Sequence, residues 1–245
     1  MPTILITRPQ PDAQETEHAL FVRHIQTLVY PLLQMNHLAT GLNTLQNFLH
    51  SITTPSLCIL SSRNTIRALT STSFPNSISF IAVGERTARL AQKTGLAPIL
   101  SVNGNESILV NYIRCHYSPD VPLLYPCAQD VMGTLIPALT EDRYTINAFP
   151  IYQMQASTFF SDELIQQIKT HKIDGISLFS KRTANIFMTL IKQYQLESCL
   201  SSMHAFCLSP SIARTLHSLR FASIQSCQRP EHDSLLELIC NFRFN

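Results

Sequence analysis

The residues best suited to chemistry are hydroxyls and a few cations, and they recur just after short apolar runs. Thr7-Arg8-Pro9 follows one such run, Ser61-Ser62-Arg63-Asn64 a second and Gly84-Glu85-Arg86-Thr87 a third. Ser180-Lys181-Arg182-Thr183 and Ser209-Pro210-Ser211 hold the same place later in the chain. Ser, Thr and Asn before a helix are ordinary N-caps, and for any one of these residues capping is the usual role. As a set they offer hydroxyls and loop amides at the carboxyl ends of strands, where open parallel sheets bind ligands. Such a set suits a ligand bearing several carboxylates. Arg8, Ser61, Ser62, Asn64, Thr87, Ser180, Lys181 and Ser211 are the candidate binding residues.

Other chemistries lack their signatures. The six glycines never form a G-x-G-x-x-G or P-loop pattern, and neither a G-x-S-x-G elbow nor an H-E-x-x-H helix occurs. The nine histidines show no metal-ligand spacing, so neither a metal nor a cofactor is expected. A formal net charge of +2 without a Lys/Arg stripe argues against nucleic acid as a partner. Seven scattered cysteines, most of them inside apolar runs and with no C-x-x-C pair, read better as buried free thiols in a reducing compartment than as a disulfide framework. The apolar stretch after Met1 is too short for a signal peptide and no run is long enough to span a bilayer, so the expected address is the cytoplasm.

These residues must be positioned by alternating strands and helices. β-branched runs at 3–7, 26–31, 56–60, 78–83, 97–101, 121–126, 146–152, 173–179, 203–208 and 222–227 alternate with stretches of helical period. In 41–52, for example, Leu42, Leu45, Phe48, Leu49 and Ile52 share a face. The last helix, 233–242, presents Leu235, Leu236, Leu238 and Ile239. Connections of two to six residues complete the pattern of βαβ units and parallel sheets.

The sequence also repeats. Pro31-Leu32-Leu33-Gln34-Met35 returns as Pro150-Ile151-Tyr152-Gln153-Met154, an offset of 119. Leu60 to Thr65 returns as Leu178 to Thr183 at an offset of 118, and Val83 to Arg89 as Leu208 to Arg214 at 125. Leu5-Ile6-Thr7 has an echo in Leu124-Tyr125-Pro126. Four matches in one order at nearly one offset indicate internal duplication. The expected fold is α/β, with two doubly wound, flavodoxin-like lobes of parallel sheet and the ligand site in the cleft between them. The two Pro-x-x-Gln-Met segments, at 31–36 and 149–155, read as antiparallel linker strands. Lobe one is then 1–32 plus 156–245, and lobe two 36–149. The alternative is two sequential lobes cut near residue 122, which leaves the shared linker motif unexplained.

The order of these motifs resembles the uroporphyrinogen-III synthase family. Thr-Arg-Pro follows the first strand; then come a Ser-Ser-x-Asn turn, Val-Gly-x-x-Thr-Ala, Leu-Tyr-Pro-Cys, the linker Tyr in Pro-Ile-Tyr-Gln, and Leu-Phe-Ser. The resemblance runs from Thr3 to the last helix. It departs from the family's pattern where the second Val-Gly-x-x-Thr-Ala copy has become Leu208-Ser209-Pro210-Ser211-Ile212-Ala213, and where the turn at 126–130 has no glycine.

The resemblance implies a cofactor-free, monomeric lyase of haem biosynthesis. Its substrate is hydroxymethylbilane, a linear tetrapyrrole with eight carboxylates. Water leaves the terminal hydroxymethyl group, and the macrocycle closes through a spiro intermediate with inversion of ring D. Tyr152 matches the family's linker tyrosine and becomes the candidate acid; Ser62, Thr87 and Ser180 match positions lining the family's cleft. The competing readings are a non-catalytic two-lobed module that binds a small anion and a nucleotide-sugar transferase.

Overall fold

The computed structural model of the protein describes every residue except 98, 131, 132 and 245. Residue 98, inside the expected strand 97–101, thus lies outside the described residues. The elements follow one another as β1 (Thr3–Ile6), α1 (Asp12–Phe21), β2 (Gln26–Val29), β3 (Leu33–His37), α2 (Ala39–Ser51), β4 (Ser56–Leu60) and α3 (Arg63–Ala68). Then come β5 (Ile78–Val83), α4 (Glu85–Lys93), β6 (Ile99–Val102), α5 (Glu106–His116), β7 (Leu123–Ala128), α6 (Leu135–Glu141) and β8 (Ile146–Ala156). The rest of the chain forms α7 (Asp162–Lys169), β9 (Gly175–Leu178), α8 (Lys181–Gln193), β10 (His204–Cys207), α9 (Pro210–Thr215), β11 (Ser223–Ser226) and α10 (His232–Asn241). A 3-10 turn at Glu197–Ser202 precedes β10.

The chain divides into two compact units. The first comprises Met1–Gln34 and Gln155–Asn245, and the second Met35–Met154. The first carries a five-stranded sheet in the order β11-β10-β9-β1-β2, with its strands paired in parallel. Side chains alternate across this sheet as the two-residue period of a strand requires. Leu5, Ile176, Leu178, Ala205 and Cys207 enter a core with α7, α8 and α9. Ile4, Ile6 and Phe206 face the other way, toward α1 and α10.

The second unit carries a six-stranded sheet in the order β3-β8-β7-β4-β5-β6. Cys58, Leu60, Phe80, Ala82 and Leu124 pack with α2, α3 and α4 on one face. Leu57, Ile59, Ile81, Leu123 and Tyr125 pack with α5 and α6 on the other. Both sheets are therefore covered on both faces, which is why their strands read as continuous apolar runs. Each fully buried Leu, Ile or Phe contributes about 1.5–3 kcal/mol relative to its exposed state.

Five strands of each sheet follow the same order, with β9, β10, β11, β1 and β2 corresponding to β4, β5, β6, β7 and β8. The sixth, β3, pairs with β8. Leu38 donates its N–H to the Ile151 carbonyl, and Ser157 donates to the Leu32 carbonyl. One partner's number rises as the other's falls, so these two segments run antiparallel. β8 is a single strand of eleven residues, where the sequence suggests a core strand at 146–152 overlapping a separate linker. The N-terminal edge of β7 is also later than expected, because Val121 closes a turn onto Ser118.

Candidate active site

The site begins at the carboxyl end of β4. Ser62 caps α3, its Oγ accepting from the Asn64 N–H at 3.1 Å. Asn64 turns its Nδ2 to the Met154 sulfur at 3.6 Å, and its Oδ1 accepts from Arg67 at 2.8 Å. Ser61 lies 3.2 Å from the Tyr125 hydroxyl, either oxygen being able to donate. One strand over, Thr87 is buried in the first turn of α4, behind Gly84, whose φ of 79° favours glycine.

Tyr152 arrives from β8 through a break in register. Cys127 pairs with Pro150, but the next residue, Ala128, pairs with Tyr152, so Ile151 is the extra residue of a bulge. Consequently Ile151 and Tyr152, although consecutive, both enter the core formed with α2, α3 and α4. The Tyr152 carbonyl accepts from the Gln129 N–H at 2.8 Å, which pins the strand beyond the bulge. Gly41 in α2 sits against the Pro150 carbonyl and Ile151, where a Cβ would overlap the carbonyl oxygen.

Tyr152 is only 5% exposed. Burial raises its phenol above the usual tyrosine range; the hydroxyls of Thr65 and Ser62 pull it back, but burial wins. Tyr125 is raised for the same reason, with its bond to Ser61 as the main counterweight. Burial also pushes the Cys127 thiol up to about 11, so it remains protonated at neutral pH. Thr65 Oγ1 is fully buried and has no partner at hydrogen-bonding geometry. The second unit thus gathers two neutral phenols and several hydroxyls at one sheet edge.

The first unit has a different chemistry after its strands. Arg8 is 8% exposed, donates to Thr16 Oγ1 and to Asp12 Oδ2 at 3.0 Å each, and lies 4.1 Å over the Phe179 ring. His232 brings its Nε2 within 3.2 Å of the same Thr16 oxygen. Burial, with Arg8 close by, lowers the His232 pKa below its ordinary value although Asp233 opposes this. The Thr7 hydroxyl donates to the Ser177 carbonyl across the sheet. Ser180 caps α8, accepting from the Thr183 N–H at 3.1 Å. Lys181 is exposed in the first turn of that helix. Ser211 shares a 3.0 Å hydroxyl contact with Ser209 at the start of α9, and Ile212 is buried in the core.

The structure therefore brings Ser61, Ser62, Asn64 and Tyr152 together around one strand end and places Thr87 on the neighbouring one. Arg8 sits in an internal network, and Ser180, Lys181 and Ser211 start the helices after β9 and β10. Sequence reasoning missed Tyr125 and Thr65 as members of the cluster. Thr65 had a signal, since the repeat aligns it with Thr183. Among the described residues no group of three His, Cys, Asp or Glu is placed to hold a metal, and no helix is long and apolar enough to cross a membrane.

Two doubly wound units with one strand order, carrying hydroxyls at their strand ends and, in the second, two phenols, define a duplicated α/β protein. A family model described as uroporphyrinogen-III synthase HemD matches residues 14–237. The chain belongs to the uroporphyrinogen-III synthase family, enzymes of tetrapyrrole biosynthesis that act as cyclising lyases. Solved structures agree on the fold. Uroporphyrinogen-III synthetase from Helicobacter pylori 26695 has a TM-score of 0.61 at 16% identity, covering 99% of this chain and 100% of the other. A mutant uroporphyrinogen III synthase from the extremely thermophilic bacterium Thermus thermophilus has a TM-score of 0.56 at 12% identity, covering 98% and 97%. No curated protein matched the chain significantly by sequence.

Proposed function

We propose that this enzyme converts hydroxymethylbilane to uroporphyrinogen III, with Tyr152 as the acid that assists loss of water. The observation that carries this reading is the buried phenol of Tyr152, turned by the β8 bulge toward the hydroxyls of Ser62 and Thr65. An electron-rich pyrrole expels a hydroxyl with little help, so a neutral phenol is acid enough. Its proton passes to the hydroxymethyl oxygen, the C–O bond breaks and water departs with the bonding pair. Attack by ring D's substituted carbon then gives the spiro intermediate, and ring inversion follows from how the chain is held. The proton released as the macrocycle closes restores the phenol.

Ser61, Ser62, Asn64 and Thr87 are proposed as contacts for substrate carboxylates, as are Ser180, Lys181 and Ser211 of the first unit. Arg8 contributes by holding the turn after β1 through Asp12 and Thr16. We take the enzyme to act as a cytoplasmic monomer and to need no cofactor. The test is to incubate the purified protein with hydroxymethylbilane and separate the products. Release of mainly the inverted, type III isomer supports the reading, and closure to the uninverted isomer alone rejects it.

A further inference from the structure

The two halves of the repeat differ at one hydroxyl. Thr183 in the first unit is buried, and its Oγ1 lies 2.8 Å from the Oγ of its own helix cap, Ser180. Its counterpart Thr65 follows a cap of the same kind, yet Ser62 Oγ serves the Asn64 N–H, and Thr65 Oγ1, buried and close enough to the Tyr152 phenol to lower its pKa, meets no described residue at full hydrogen-bond geometry. An unsatisfied buried hydroxyl costs stability. The halves also differ in what lies nearby: the second unit sets the Tyr152 phenol beside this threonine, and the repeat matches Tyr152 with Leu33 in the first.

We propose that Thr65 is a positioning residue for Tyr152, its hydroxyl donating a hydrogen bond to the phenolic oxygen as that oxygen gives up its proton. The inference rests on Tyr152 acting as the acid. In the resting protein Tyr152 is neutral and Thr65 gains little from it. Once the proton has moved to the substrate's hydroxymethyl oxygen and water has left, the phenolic oxygen carries a negative charge in a nearly dry environment. A hydroxyl already beside it, bound to nothing else, stabilises that charge without first breaking another bond. Ser62 accepts from the Asn64 amide and keeps its own O–H to donate, so it stands as a second donor beside Thr65. The bond between Thr65 and Tyr152 strengthens only as charge develops, so it favours the transition state over the bound substrate.

The test pairs Thr65→Val, which keeps shape and removes the hydroxyl, with Thr65→Ser, which restores it. Fluorotyrosine incorporated at position 152 titrates in a range the fold tolerates and is followed by fluorine NMR without substrate. Thr65→Val should raise its titration midpoint by about 1 pH unit, and Thr65→Ser should bring it back. In parallel, kcat of Thr65→Val should fall about 5- to 20-fold with KM nearly constant, and its Tm should not fall, since an unsatisfied polar group has been removed. An unmoved midpoint, or a Tm that drops while Ser fails to restore kcat, overturns the proposal in favour of a packing role. A fully active Tyr152→Phe variant would instead overturn the parent reading, and the titration would still decide whether the hydrogen bond exists.

Discussion

Ile151 and Tyr152 are consecutive in β8 and yet face the same core, because the pairing partner advances by one residue between Cys127 and Ala128. In a regular strand they would point to opposite faces. The bulge carries the phenol to the side of α3, where Ser62 and Thr65 stand. The conformation depends on close packing at Gly41, whose missing Cβ leaves room for the Pro150 carbonyl.

Gly41→Ala should therefore injure both stability and activity. The added methyl forces α2 away from β8, a form of overpacking that costs about 1–3 kcal/mol. Chemical denaturation should show the midpoint falling, with kcat reduced at temperatures where the variant remains folded. Wild-type stability would show that α2 yields freely and does not hold the bulge.

The alternation of strands and helices was legible because both sheets are covered on both faces, so Leu57-Cys58-Ile59-Leu60 could be read as one apolar run. The repeat was legible for the same reason, as Ser62 and Ser180 each cap a helix after a matching strand. The bulge was not, since a register shift is a property of two strands and β8 alone reads as continuous. Nor was the fate of Arg8: its pair with Asp12 is only four residues away, but the Phe179 ring beneath its guanidinium lies far off in the chain. Thr65 and Thr183 look alike in sequence; the geometry of the two caps separates them, since Ser180 meets the Thr183 hydroxyl while Ser62 serves the Asn64 amide.

Arg8→Met should act mainly through stability. Removing the cation leaves Asp12 with little exposure and one partner fewer, and breaking such a pair costs about 3 kcal/mol. Denaturant unfolding should register the loss, together with a rise in KM from the loosened β1–α1 turn. A variant as stable as the wild type would contradict the assignment of Arg8 to an internal network.

Lys181→Ala should leave stability unchanged, because the side chain belongs to an exposed residue at the start of α8. If it meets a substrate carboxylate at the rim, KM should rise by a few-fold, equivalent to roughly 1 kcal/mol or less, with kcat preserved. Steady-state kinetics at two salt concentrations would check this, since a rim contact weakens as salt rises. A collapse of kcat would assign Lys181 to the chemistry.

Stability should also decline on the acid side through His232. Its folded-state pKa is depressed, first by burial, so the neutral imidazole is favoured in the fold. The contribution is thus present above the unfolded value of about 6.5 and is lost as pH falls from there through the folded pKa. Unfolding measured from pH 7.5 down to 5 should show a decline that His232→Gln flattens, because glutamine keeps a polar group near Thr16 without titrating. A parallel decline in both proteins would place the acid sensitivity elsewhere.

The most direct test of the central claim is single-turnover kinetics of Tyr152→Phe on hydroxymethylbilane, with separation of the product isomers. The ring still packs in its core and only one oxygen is lost, so the variant should fold. The rate of water loss should fall about 10- to 1000-fold, kcat and kcat/KM should fall together, and what turns over should still be mainly the type III isomer. A variant that keeps the wild-type rate would show that the phenol only packs, and that the proton comes from water or from a carboxyl of the substrate itself.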